Sequence, residues 1–326
     1  MPARDAAHTL AAALTSVRRQ SYPHFECIVV DDGSRDATPR LVRDFEQADT
    51  RFRLLERPAS GLVASLNAGV AVARAPWIAR MDADDVMLRR RLELQLAQLD
   101  RQPELAGVGA HVRIFPRAGL RAGRLAYEAW LNSIADHSDV WRERFVECPL
   151  AHPTWLFRTD LMRRFAYRDN GAPEDYDLLL RVLAAGAKLG VVARRLHCWR
   201  DHPERASRLD ARYSQRRFTW LKALHLSSTV LDGHDAYMLW GYGSTGKTLC
   251  HELMRLGHHP SHIVELHPGR LGQRIHGALV VEPAALGGLR NRPLIVSVAG
   301  AGPRSEIRAA LERLEFREAD HYVFAA

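Results

Sequence analysis

Apolar residues fall in short runs separated by helical patterns. Residues 25–30 (FECIVV) form a near-continuous apolar run of strand length, as expected of a strand covered on both faces, and the run stops at Asp31, Asp32 and Gly33. A helix follows, with Ser34 or Asp36 to cap it, Pro39 in its first turn, and Leu41, Val42 and Phe45 on one face. The cycle repeats with a strand over 52–55, a helix over 62–73 and a strand over 77–81 that runs into Asp82-Ala83-Asp84-Asp85. A helix over 90–100 then sets Leu92, Leu96 and Leu99 on one face before Pro103, and 105–115 reads as another strand. This alternation predicts an α/β protein on a mostly parallel sheet. Two strands end in carboxylates. Open α/β sheets bind ligands outside the carboxyl ends of their strands, so both clusters are expected to face one crevice.

Further along, a basic helix over 212–226 and a Ser/Thr/Gly/Asp stretch mark a connector, residues 206–235. A new β-α-β unit follows, with a strand over 236–240, a Gly-rich turn, a helix over 245–256 and a strand over 262–266. A strand over 294–298 and a helix over 304–314 complete a second domain, residues 236–326, within the usual domain size range.

At 326 residues, 47% hydrophobic and 26% charged, the chain can bury one large core or two smaller ones. No apolar run approaches the ~18–20 residues that cross a bilayer, and the start lacks the apolar centre of a signal peptide, which predicts a cytoplasmic protein. Cys27, Cys148, Cys198 and Cys250 are widely spaced within or beside apolar segments, with no CxxC pair, and are expected to be reduced core residues. The formal charge of +8 suits a diphosphate-bearing substrate or peripheral contact with the anionic inner face of a membrane. It is nearly all arginine, spread along amphipathic segments as a solvated surface. Zinc-finger spacing, an RNP-type aromatic motif and a basic tail are all lacking, so nucleic acid is not an expected partner.

Asp82-x-Asp84 offers oxygen ligands on a loop at a strand end, the chemistry preferred by Mn²⁺ or Mg²⁺, which fill their remaining positions with phosphate oxygens and water. By itself such a pair is no more than a solvated turn. Its company is more specific. Leu14-x-Ser16-Val17, Gln20-Ser21-Tyr22-Pro23, the run from Val29 to Thr38, Leu66-Asn67-x-Gly69, the run from Ile78 to Asp85, and Arg91-Leu92 together resemble the family 2 glycosyltransferases. Downstream, His152-Pro153-Thr154, Glu174-Asp175-Tyr176-Asp177-Leu178 and Trp199-Arg200-x-His202 are similar to the acceptor-side half of that family.

The resemblance spans residues 1–205 and implies a GT-A-type fold that binds a nucleotide-diphosphate sugar, with inversion at the anomeric carbon. It implies that Asp32 contacts the base with Asp31 beside it, and that Asp82 lies near the ribose and metal. Asp84 becomes the principal metal ligand and Asp175 the catalytic base, with Glu174 and Arg80 on the substrate side and His202 within reach of the metal. A saccharide or lipid-linked acceptor of cell-envelope or polysaccharide biosynthesis is the implied partner. Relatives open with an apolar strand that is absent here, since residues 1–5 correspond to the end of the segment after it. Pro2 and Arg4 then border the nucleotide, and the sheet is expected to be short of one central strand. A catalytically impaired nucleotide-sugar-binding protein is the alternative. Nucleotidyl transfer would need a Gly-rich activating loop with a basic residue, which residues 1–36 do not offer.

In the second domain Gly241-Tyr-Gly243-Ser-Thr-Gly246-Lys247-Thr248 fits both GxGxxG and GxxxxGK[ST]. A phosphate loop of the latter kind needs a later strand ending in Asp, yet residues 294–298 end in Ala299-Gly300. In the dinucleotide reading the glycines follow a strand and open a helix, and Glu265 sits where a ribose-binding carboxylate belongs. The segment resembles the Rossmann-like domains attached to some glycosyltransferases, with a nucleotide, a dinucleotide or a purely structural role open. No partner for hydride chemistry is evident.

Overall fold

The computed structural model describes residues 1–205 and 208–326. Two compact units emerge, one formed by Met1–Val140, Pro149–Asn170 and Glu174–Arg208, the other by Trp141–Cys148, Gly171–Pro173 and Leu209–Ala326.

The first unit holds two sheets. Strands β1 (Pro2–Ala3), β2 (Cys27–Asp32) and β3 (Phe52–Arg57) form a parallel sheet in that order, with Pro2 opposite Val30 and Cys27 opposite Phe52. The second sheet is mixed. It contains β4 (Trp77–Ala79), β5 (Val86–Met87), β6 (Leu105–Phe115), β7 (Leu156–Arg158) and β8 (Lys188–Arg200) in the order β4-β7-β6-β8-β5, and only β6 and β8 run parallel. The parallel character expected from the alternation thus belongs to the first sheet.

Strand β2 forms where the apolar run predicts it, shifted to include the two aspartates. Val29 and Val30 are fully covered because helices lie on both faces. One is Ala7–Arg18, an element the hydrophobic pattern did not suggest; it buries Leu10, Ala13, Leu14 and Val17, a helical stripe, against Val29, Val42 and Phe52. Each such side chain contributes ~1.5–3 kcal/mol of burial. Ala3, Met81 and Ala83 belong to this same cluster, so the loop carrying Asp82 and Asp84 is seated on the parallel sheet.

The short β1 runs along the upper part of β2, where the Val30 amide donates to Met1 O at 2.8 Å. Below it β2 and β4 do not pair, and a mostly apolar cavity of about 250 Å³ lies between, lined by Cys27, Ile28, Trp77 and Ala79 among others.

In the second unit five strands, β9 (Ala236–Trp240), β10 (His259–Val264), β12 (Ala278–Val281), β13 (Leu294–Val296) and β14 (Tyr322–Phe324), run parallel in the order β12-β10-β9-β13-β14; β11 (Arg274–Ile275) adds an antiparallel edge. This is the order of a doubly wound sheet. The helix Gln215–Ser227, read above as a connector, falls in this unit and buries Leu221, Ala223 and Leu226. All four cysteines are free.

Candidate functional site

Two strand ends and one helix N-terminus bring the acidic residues of the first unit together. β4 releases the chain into Arg80-Met81-Asp82-Ala83-Asp84-Asp85, and β5 catches it again by pairing antiparallel with β8. Carboxylate oxygens of Asp82, Asp84 and Asp85 come within 4.8 Å of one another. They differ in their commitments. Asp85 is wholly buried and engaged, accepting from the Arg200 amide at 2.7 Å and lying 2.7 Å from His197 Nε2. Burial and the neighbouring Asp82 push its carboxyl well above the usual range.

Asp82 is ion-paired with Arg80; burial works to raise its pKa, but the guanidinium prevails and holds it below the usual carboxylate value. Asp84 remains partly open. Its carboxyl is pushed up to about 6, first by burial and then by the charges of Asp82 and Asp85, with His202 opposing from 3.2 Å. The backbone carbonyl of Asp84 accepts from Arg200 Nε at 2.6 Å, which fixes the loop on the end of β8. A divalent cation would relieve the crowding that raises Asp84, and the donor set of carboxylates plus one imidazole suits Mn²⁺ or Mg²⁺.

Asp175 lies at the start of helix Glu174–Ala184 and accepts from the Tyr176 amide at 2.7 Å. His152 Nδ1 is 4.0 Å from its Oδ2, and His152 Nε2 is 2.7 Å from Tyr167 Oη. Burial, then Arg80, depresses His152 well below the imidazole range, so it is neutral at pH 7. The buried Tyr167 hydroxyl has its pKa raised; Arg80 opposes this while Glu174, Asp175 and Asp82 add to it. Arg80 and Tyr167 are therefore the common neighbours that join the Asp82 loop to the Asp175 helix. Glu174 is buried and points no open carboxylate outward, with 2% of its surface exposed.

At the end of β2 the two aspartates divide their tasks. Asp32 accepts from the amides of Ser60 at 2.7 Å and Gly61 at 3.1 Å and lies 3.6 Å from Arg4, so it holds the entry to helix Leu62–Val72. Asp31 accepts from the Ser34 amide with Oδ2, while its Oδ1 is buried without a partner. A buried acceptor left without a partner is a place for a donor from outside the protein. On β1, Pro2 stands opposite Val30 and Ala3 opposite Asp31, and Arg4, just past the strand, lies 3.6 Å from Asp32.

Sequence reasoning gave no role to Tyr167 or His197, and the family motif supplied Arg91 without one. Arg91 is wholly buried and joins His197 Nδ1 at 3.1 Å to the carbonyl of Arg80 at 2.9 Å. A charged residue in the first turn of an amphipathic helix reads as solvated, and a lone histidine in a strand carries no signal.

In the second unit Gly241 and Gly243 lie between β9 and the helix Ser244–Arg255, Gly246 lies in that helix's first turn, and Glu265 follows β10, its carboxylate 3.1 Å from Arg270.

Residues 1–165 match the family model for glycosyl transferase family 2, and the chain belongs to that family. EpsE of Bacillus subtilis is 31% identical over 184 residues, 55% of this chain and 63% of that protein. The O-antigen biosynthesis glycosyltransferase WbnJ of Escherichia coli is 29% identical over 173 residues, 52% and 65% of the two chains. The matched stretch is thus less than two thirds of either relative. Residues 1–349 of S. aureus TarS share the fold, with a TM-score of 0.55, 16% identity, and coverage of 78% of this chain and 68% of that one. The fold of the first unit is the GT-A type.

Proposed function

We propose that the protein is an inverting, metal-dependent glycosyltransferase that moves a sugar from a nucleotide-diphosphate donor to an acceptor hydroxyl. The observation that carries this reading is that Tyr167 neighbours both Asp82 and Asp175, while Arg80 pairs with Asp82 and Asp84 shares one carboxylate cluster with it. Asp84, Asp82 and His202 would hold Mn²⁺ or Mg²⁺, which when bound neutralises the departing diphosphate. Arg80, buried and held positive by Asp82, adds a fixed charge on the same side. Asp31 offers its unpaired oxygen to the base or ribose of the donor, and Asp32 works one step removed by holding Ser60, Gly61 and Arg4 in place. Asp175 takes the proton of the acceptor hydroxyl as the new glycosidic bond forms, and neutral His152 keeps that carboxylate oriented without pairing with it as a cation. Glu174 supports the helix start.

WbnJ is named for O-antigen biosynthesis, and a saccharide or lipid-linked acceptor from polysaccharide assembly follows by analogy. Crystals of TarS 1–349 have been described with UDP-GlcNAc, which supports a nucleotide-sugar donor here. No helix among the described residues is long and apolar enough to cross a membrane; the arginine-rich surface supports a cytoplasmic protein working at the inner membrane face. The test is release of nucleoside diphosphate from a panel of nucleotide sugars with Mn²⁺. Absence of release from every donor, with and without a saccharide acceptor, would favour the impaired binding protein instead.

A further inference from the structure

The three glycines of the second unit do not have the same reason to be glycine. Gly241 takes φ +94°, and a Cβ there would stand 2.9 Å from Ser297 O and 2.6 Å from the Val298 side chain. Gly246 is helical, and a Cβ would run into the carbonyl oxygen of Gly241. Both are imposed by the packing of helix Ser244–Arg255 on β9 and β13. Gly243 is different. Its φ of −77° and ψ of −167° are open to any residue, and a Cβ would meet nothing within 4 Å. Nothing inside the protein calls for a glycine at this position, so the room it leaves faces outward, at the Ncap of a 12-residue helix whose first amides receive no side-chain cap.

A second observation points the same way. Ser297, the residue after β13, is 6% exposed, and its Oγ has no hydrogen-bond partner. Its carbonyl lies against Gly241, and its Cβ is 3.5 Å from where a Gly246 Cβ would be, so it sits against the glycine-rich turn. This is the point in the order β12-β10-β9-β13-β14 where the chain, having built outward on one side of β9, returns to build on the other. Crevices at such reversals are where doubly wound sheets take their ligands. A buried hydroxyl left unpaired there costs stability unless a ligand completes it. The uncapped helix start favours negative charge, and Lys247 in its first turn adds to this. Glu265, at the end of the neighbouring β10 and steadied by Arg270, places an acceptor where ribose hydroxyls would lie.

We propose that this crevice is a second nucleotide site, in which the helix start and Ser297 hold the diphosphate of a nucleoside diphosphate compound and Glu265 its ribose. It needs no cation and does not depend on the glycosyl-transfer reading of the first unit. The shared chemistry is a ribose-linked diphosphate, from a dinucleotide or from a nucleotide sugar.

Thermal melting of the full chain carrying Asp84→Asn, in EDTA, with millimolar NAD⁺ or UDP-glucose, tests it. One of the two should raise the melting temperature increasingly with concentration, and which one does so identifies the source. Adding Gly243→Asp should leave the unliganded melting temperature unchanged or higher, because aspartate is a good Ncap, while abolishing the ligand shift through bulk and charge. Ser297→Ala, a smaller change, should demand roughly fivefold more ligand for the same shift. No shift with either compound, or a shift that persists in Gly243→Asp, overturns the proposal. Failure of the first site would register separately, as undiminished donor hydrolysis in Asp84→Asn.

Discussion

His197 donates its Nε2 proton to Asp85 across 2.7 Å, in a place where neither side chain has any exposure. The tautomer follows from the other side of the ring. Arg91 lies 3.1 Å from Nδ1, and a guanidinium can only donate, so Nδ1 is the acceptor and the proton sits on Nε2. Burial and the Arg91 charge depress the imidazole well below its usual range, so the ring is neutral at pH 7 and relays between a buried cation and a buried carboxylate. The carboxylate cluster is thereby tethered to the helix Arg91–Arg101 and, through Arg91, to the backbone of Arg80.

Replacing His197 by alanine should be costly. It strands Asp85 and Arg91 without their common partner, a change of the kind that costs about 3–5 kcal/mol when a buried pair is broken. Urea unfolding of His197→Ala reads the loss directly; a change below about 1 kcal/mol would mean that water or a neighbour takes over the role.

Asp84 should trade stability for function. Its folded-state pKa of about 6 lies above the 3.8 expected unfolded. The folded chain therefore binds more protons between these values, and stability is lost as pH rises through that window. In EDTA at pH 7 Asp84→Asn should melt higher than the parent, and the advantage should shrink toward pH 4. The same variant should release no nucleoside diphosphate. Equal melting temperatures at pH 7 would contradict the crowding argument.

Asp175→Asn should retain donor binding and lose turnover by about 10²–10⁴-fold, the range for removing a general base. The informative comparison is kcat against KM for the donor. A rise in KM with kcat intact would place Asp175 in binding instead of proton transfer.

Gly246→Ala should destabilise by about 1–3 kcal/mol, since the added methyl meets the backbone carbonyl of Gly241, which cannot rotate away. Gly243→Ala, facing open space, is the matched control and should fold as the parent does. Differential scanning calorimetry of the pair is sufficient.

Much of this arrangement was legible in the chain. Apolar runs cut off by carboxylates at Asp31 and Asp82 announced strand ends, and β6 and β9 begin and end where the pattern said. What escaped were elements whose logic is not local. β7 and β8 pair across large sequence separations, and helix Ala7–Arg18 is so rich in alanine that its buried stripe barely contrasts with its outer face. The amide partners of Asp32 escaped for a related reason. Its motif position is the same whether the carboxylate meets a ligand or the amides of Ser60 and Gly61, and only the fold of the 58–61 loop separates the two.

The unpaired stretch between β2 and β4 has a consequence for handling the protein. Among the described residues β4 bonds to β7 alone, so one side of Trp77–Ala79 offers free amides and carbonyls next to an oily slot. Such an edge is a template for a foreign strand.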